Sequence, residues 1–189
     1  MVSWCGRNNL ELNTSKTKET IIYFRGEESP VAPLLINGSP IAIVDNFLFL
    51  GTSISSGFDW EANINSFLKK ARQRMYFLRQ LKKFGLRCEI LLQFYRAVIE
   101  SVLCFSLSVW FGSTTKDQRR RPSRVVKNAG RIIGRELPSL EETYLRRSVA
   151  RSKRIIADQS HPAHSTCQLL PSGRRYRALR ARTNRDAAV

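Results

Sequence analysis

The spacing of apolar and polar positions changes character along the chain, and each change marks a structural boundary. Between residues 19 and 55 apolar residues come in short runs separated by turn formers. "ETIIYFR", 19–25, is rich in β-branched and aromatic residues and predicts a strand. "PLLINGSPIAIV" sets Asn37 and Gly38 between two apolar runs. That arrangement predicts a hairpin with a type I′ turn, which needs positive φ at both central positions. "FLFLGTSIS", 47–55, predicts a further strand that completes a small antiparallel sheet. Ahead of these, residues 2–9 read as the end of a helix carrying Trp4, with Asn8 and Asn9 suited to its C-terminus.

From Trp60 onward the period becomes helical. Ile64, Phe67, Leu68, Ala71, Met75, Leu78 and Leu81 share one face, while Lys69, Lys70, Arg72, Arg79, Lys82 and Lys83 lie elsewhere. A second helix, 88–111, is apolar nearly all round and interrupted mainly by Glu89, Arg96 and Glu100, so it is expected at the buried centre. Tyr76, Phe77 and Tyr95 read as core residues rather than stacking platforms. "GSTTKDQRRRPSR" breaks the pattern and reads as a linker. Beyond it, Val125, Val126, Ala129, Ile132 and Ile133 resume the helical spacing opposite Arg124, Lys127, Arg131 and Arg135. Ser139 and Glu142 predict a capping box for a last helix, whose outer face carries Arg146, Arg147, Arg151 and Arg154. After residue 158 no apolar period survives, and an extended or flexible end is expected until it meets a partner.

The expected fold class is α+β: a small antiparallel sheet, a mostly α-helical bundle and an Arg-rich tail. Four segments follow, 1–58, 59–115, 116–160 and 161–189.

Charge turns this outline towards a function. The chain holds 32 Lys and Arg against 15 Asp and Glu, a net charge of +17. Net charge runs from −2 over residues 1–60 to +6 over 61–115 and +13 over 116–189. A neutral scaffold leading into basic helices suits a polyanion, because each phosphate contact releases counterions. The candidate nucleic-acid-binding residues are Lys69, Lys70, Arg72, Lys82, Lys83, Arg119, Arg120, Arg121, Arg174, Arg175 and Arg177. Cys5, Cys88, Cys104 and Cys167 form no C-x-x-C pair and read as free thiols of a reducing compartment. No signal peptide opens the sequence, and the charge-free stretch 101–115 is shorter than the ~20 residues of a membrane span. A soluble nuclear or cytoplasmic protein with no membrane partner is the expectation. His161, His164 and Cys167 stand as H-x-x-H-x-x-C with no fourth ligand nearby, and no metal is assigned to them.

Several blocks in a fixed order carry a resemblance. "NNLELNTSKTKETIIYF", the hairpin, "FLFLG", "ARQRMYFLRQLKKFG", "FYRAVIESVLCFSLSVWFG" and "SHPAH…LLPSGRRYR" together resemble non-LTR (LINE-type) retrotransposon reverse transcriptases. The resemblance implies a piece running from just after the catalytic carboxylates of the palm, through the thumb, into a basic C-terminal region. It implies that "LNTSKTK" is similar to the palm loop beside the outgoing pyrophosphate, with Lys16 in the position of a general acid. It further implies that Phe49, Leu50 and Gly51 belong to a hairpin gripping the primer, and that the helices 61–83 and 88–111 form a thumb. The family's Asp-Asp pair, which holds two Mg²⁺ ions, has no counterpart here, since the chain contains no adjacent Asp-Asp pair. No cofactor is therefore expected in this chain, although the intact parent polymerase would use Mg²⁺.

A second resemblance starts from "NTSKTKETIIYFR", which is similar to the N-terminal segment of the eighth AlkB homologue, a tRNA-modifying oxygenase and methyltransferase. The oxygenase chemistry of that family needs two His and a carboxylate around iron. Neither His161 nor His164 is followed by the usual H-x-D carboxylate. A basic nucleic-acid-binding module adapted by a host is the third reading.

Overall fold

The computed structural model describes residues 2–22 and 31–176. The fold is mixed α+β with helix predominating. It divides into two compact units, Met1–Asn63 and Ile64–Val189.

The first unit opens with α1 (Val2–Arg7), which buries Cys5 and leaves Trp4 exposed. The polar stretch after it is organised by Asn13. Its side-chain Oδ1 accepts from Lys16 N at 3.0 Å and from Ser15 Oγ at 2.7 Å, and its carbonyl accepts from Thr17 Oγ1 at 2.8 Å. This turn delivers β1 (Lys18–Glu19). β2 (Leu35–Ile36) and β3 (Ser39–Pro40) form the expected hairpin, with φ of 49° at Asn37 and 78° at Gly38. β4 (Ala42–Ile43) follows, and β5 (Asn46–Phe49) pairs antiparallel with β6 (Thr52–Ser55).

The sheet departs from expectation in two ways. Among the described residues three separate two-stranded pairs replace one sheet, and β1 pairs with β4 in parallel, Lys18 opposite Ala42 and Glu19 opposite Ile43. The long connection between β1 and β4 permits the crossover that a parallel pair requires. The strand expected at 19–25 shrinks to Lys18–Glu19, with Thr20–Ile22 unpaired and the rest outside the described residues. Glu19 accounts for much of the local order: its Oε2 accepts from Leu34 N at 3.0 Å and its carbonyl from Val44 N at 2.8 Å.

The chain enters α2 (Glu61–Lys83) through a buried Trp60. In the second unit this helix buries Ile64, Phe67, Leu68, Ala71, Met75 and Leu78 of the stripe read from the sequence, with Leu81 half-buried. The second helix is not continuous. It runs as α3 (Cys88–Phe94), a π-helical stretch Tyr95–Glu100 and α4 (Ser101–Leu103), breaks, and resumes as α5 (Leu107–Trp110). At the break Ser106 takes φ of 49°. Side-chain donors meet the loosened carbonyls: Arg74 Nη1 donates to Val98 O, and Trp110 Nε1 donates to Phe105 O at 3.0 Å. Buried carbonyls without such partners would cost about 1–3 kcal/mol each.

By length and composition Cys88–Trp110 is apolar enough to cross a membrane, a feature missed when only charge-free runs are counted. Its Leu91, Tyr95, Ile99, Leu103, Leu107 and Trp110 are buried inside the bundle.

The expected linker is the start of a helix instead. α6 (Lys116–Ile133) begins at Thr115, whose hydroxyl accepts from Gln118 N while Gln118 Oε1 accepts from Thr115 N, a full capping box. Pro122 sits inside this helix, where it removes one backbone bond without ending it. α7 (Leu140–Ala157) starts at Ser139, whose hydroxyl accepts from Glu142 N at 3.0 Å. α6 packs on α3 and α7, and α7 on α5. An aromatic ladder fixes the centre: Phe67 meets Trp110 at 5.0 Å, Trp110 meets Phe111 at 5.6 Å, and Phe111 meets Tyr144 at 5.0 Å.

Candidate nucleic-acid interface

The basic residues divide into those the fold has already engaged and those it leaves facing outward. Arg119 belongs to the first group. Its guanidinium lies 5.0 Å over the Phe111 ring, Nη2 donates to Gly112 O at 3.0 Å, and Nε donates to Thr114 Oγ1 at 3.3 Å. Arg74 and Arg147 likewise serve main-chain carbonyls. Each of these arginines bonds to the bundle's own main chain.

Lys69, Lys70, Arg72, Lys82, Lys83 and Arg120 are exposed, the first five along α2 and the last on α6. Arg174 and Arg175 are exposed beyond α7, with the Arg175 carbonyl accepting from Leu170 N at 2.7 Å, and Arg177 lies outside the described residues. Arg121 is half-buried and reaches α2, where its Nη1 donates to Asn65 Oδ1 at 3.0 Å.

That contact frames a cleft of about 360 Å³ between α2 and α6, into which Arg72, Arg79, Arg121, Arg124 and Asn128 converge over Met75 and Val125. Among the described residues lining it none is acidic. The periodicity placed Arg79 and Arg124 off the apolar faces without showing that the two helices bring them together. A larger cavity of about 530 Å³ lies where α6 gives way to α7. It combines Lys127, Arg131 and Arg135 with Glu136, and so is less one-signed.

Two aromatics read as core are on the surface. Tyr76 and Phe77 are each 56% exposed and meet edge to face at 5.6 Å, whereas Tyr95 is 1% exposed. Burial, with lesser contributions from Glu100 and Cys104, holds the Tyr95 phenol well above its ordinary pKa.

In the first unit Lys16 is exposed on the Asn13 turn. Phe49 ends β5, and Leu50 and Gly51 form the tip of the β5–β6 hairpin with φ of 46° and 84°. Phe49 and Leu50 are exposed.

Among the described residues no group of three His, Cys, Asp or Glu side chains is arranged to hold a metal ion. His161 Nδ1 accepts from Ala163 N at 3.0 Å, and His164 Nδ1 donates to Ile155 O at 3.0 Å, so both rings are engaged in local structure.

Residues 60–101 match the family described as alkylated DNA repair protein alkB homolog 8, N-terminal. The match covers α2, α3 and the π-helical stretch, and lies well downstream of the "NTSKTKETIIYFR" segment that carries the resemblance in the sequence. No curated protein matches, and no solved structure matches. The reverse-transcriptase resemblance gains no support from these comparisons.

Proposed function

We propose that this chain is a nucleic-acid-binding module without a catalytic centre of its own, built around an alkB homolog 8 N-terminal-like segment. The observation that carries this reading is the cleft between α2 and α6, whose described lining brings together Arg72, Arg79, Arg121 and Arg124. The family match supports it, since the matched segment supplies α2 and two of those arginines, Arg72 and Arg79. Binding by such a surface is electrostatic and largely independent of sequence.

The test is titration of the full chain with labelled single strands, duplex and RNA–DNA hybrid at several salt concentrations. The expected result is weak binding that falls at least tenfold between 50 and 200 mM salt. Absence of binding at low salt, or binding indifferent to salt, would refute the reading. Deleting 116–189 is not a clean test, because α6 and α7 bury Val125, Val126, Ala129, Ile133 and Leu140 in the same core.

The order of sequence blocks favours a second reading, that the chain is a portion of a LINE-type RNA-directed DNA polymerase with thumb-like helices. In a full-length polymerase of that type carrying this segment, Lys16→Ala should then lower turnover more than nucleotide affinity, and Lys18→Ala should do neither. Equal, slight effects from both would leave the turn at Asn13 as a solvated connection.

A further inference from the structure

We propose that the α2–α6 cleft seats one backbone phosphate of a single-stranded nucleic acid, and that Tyr76 stacks the adjoining base. The proposal rests on the nucleic-acid reading above and names the strand class and the residues.

The cleft has the chemistry of an anion seat. Arg72 and Arg79 approach from α2, Arg121 and Arg124 from α6, and Asn128 adds an amide. Cationic side chains lining one cleft gain favourable electrostatic energy when an anion such as a phosphate is placed among them. The floor is formed by the buried side chains of Met75 and Val125, which lower the local dielectric and strengthen charge-assisted hydrogen bonds. Arg121 is held in place by its 3.0 Å bond to Asn65, so part of the ordering cost of binding is met before the ligand arrives.

Tyr76 points to the strand class. On α2 it lies four residues after Arg72 and three before Arg79, so the three side chains share one face of the helix beside the cleft. More than half of Tyr76 is open to solvent, and Phe77 supports its ring edge to face. A duplex keeps its bases stacked on one another and offers only backbone to such a surface. A single strand can place a phosphate in the cleft and the next base on the ring.

The test uses the full chain and fluorescence anisotropy with labelled oligo(dT) and oligo(U) 20-mers, against a duplex of equal length. Arg79→Ala with Arg124→Ala should weaken single-strand binding about tenfold, and the charge-matched pair Arg151→Ala with Lys153→Ala on α7 by no more than about threefold. Tyr76→Ala should weaken single-strand binding about tenfold while leaving duplex binding unchanged, and Tyr76→Phe should restore it. Circular dichroism of each variant checks the fold. As a readout that does not depend on alanine variants, ultraviolet cross-linking of the wild type to a 5-bromouridine oligonucleotide should place the adduct on Tyr76. Equal losses from the two double variants, or an adduct on another segment, would overturn the proposal and leave nucleic-acid binding standing. A wild type that binds neither strand class would remove both.

Discussion

Arg147 Nη1 donates to the carbonyl oxygen of Cys104 at 2.6 Å, tying α7 to the helix break across 43 residues of sequence. The break at Cys104–Ser106 loosens the helical bonding, and a charged donor replaces part of what is lost. Arg147→Ala should therefore lower the free energy of unfolding by about 1–2 kcal/mol, and Arg147→Lys by less. Urea denaturation checks this. An unchanged midpoint would mean that the 3.3 Å bond from Leu107 N suffices for that carbonyl.

The Cys104 thiol lies in the same region. Burial pushes it up to about 11 from an ordinary value of 9.0, with Arg147 acting in the opposite direction and Glu100 adding to the rise. Between those values the native chain keeps a proton that the unfolded chain has released. Stability from this group is intact below about pH 9 and falls as pH rises through 11. Unfolding measured at pH 8 and pH 10.5 should show a larger loss for the wild type than for Cys104→Ala. At pH 8 a thiol reagent should reach the half-buried Cys88 and Cys167 well before Cys104. Equal labelling rates at all three would show that the site opens freely.

The apolar stripe of α2, the Asn37-Gly38 turn and the Ser139 cap were legible because each depends on neighbours a few residues away. The break after Leu103 was not, since it is held by Arg147 and by Trp110 folding back on Phe105 O. The start of α6 is hidden in the sequence because Pro122 and three arginines follow directly on the Thr115–Gln118 box. Periodicity showed that Arg79 and Arg124 avoid the core. It could not show that they meet, because sequence does not state which helix packs beside which. Tyr76 and Phe77 lie off the Ile64–Leu78 stripe and are exposed, against the expectation that they belong to the core.

Leu50 occupies the left-handed region at φ of 46° while 79% exposed. A bulky L-residue pays about 1–2 kcal/mol there, and asparagine tolerates it better. Leu50→Asn should raise stability by about 0.5–1 kcal/mol, read as an upward shift of the melting temperature. Leu50→Gly should gain less, because glycine also frees the unfolded chain. A downward shift for both would show that the Leu50 side chain contributes to native packing despite its exposure.

Gly130 lies inside α6, where alanine would ordinarily stabilise a helix by about 1 kcal/mol. Here the opposite is expected. A Cβ at this position would sit 2.8 Å from the Arg135 carbonyl oxygen and 3.7 Å from Leu137 Cγ. The first of these is a backbone atom and cannot swing aside. The turn is fixed by Gly134 at φ of 84° and by Arg135 N donating to Gly130 O at 3.1 Å, so relief would require rebuilding the end of the helix. Gly130→Ala should therefore cost about 1–3 kcal/mol in denaturant unfolding, while Lys127→Ala, exposed on the same helix, should stay within about 0.5 kcal/mol of the wild type. A gain for Gly130→Ala would mean that the α6–α7 turn yields to a methyl group.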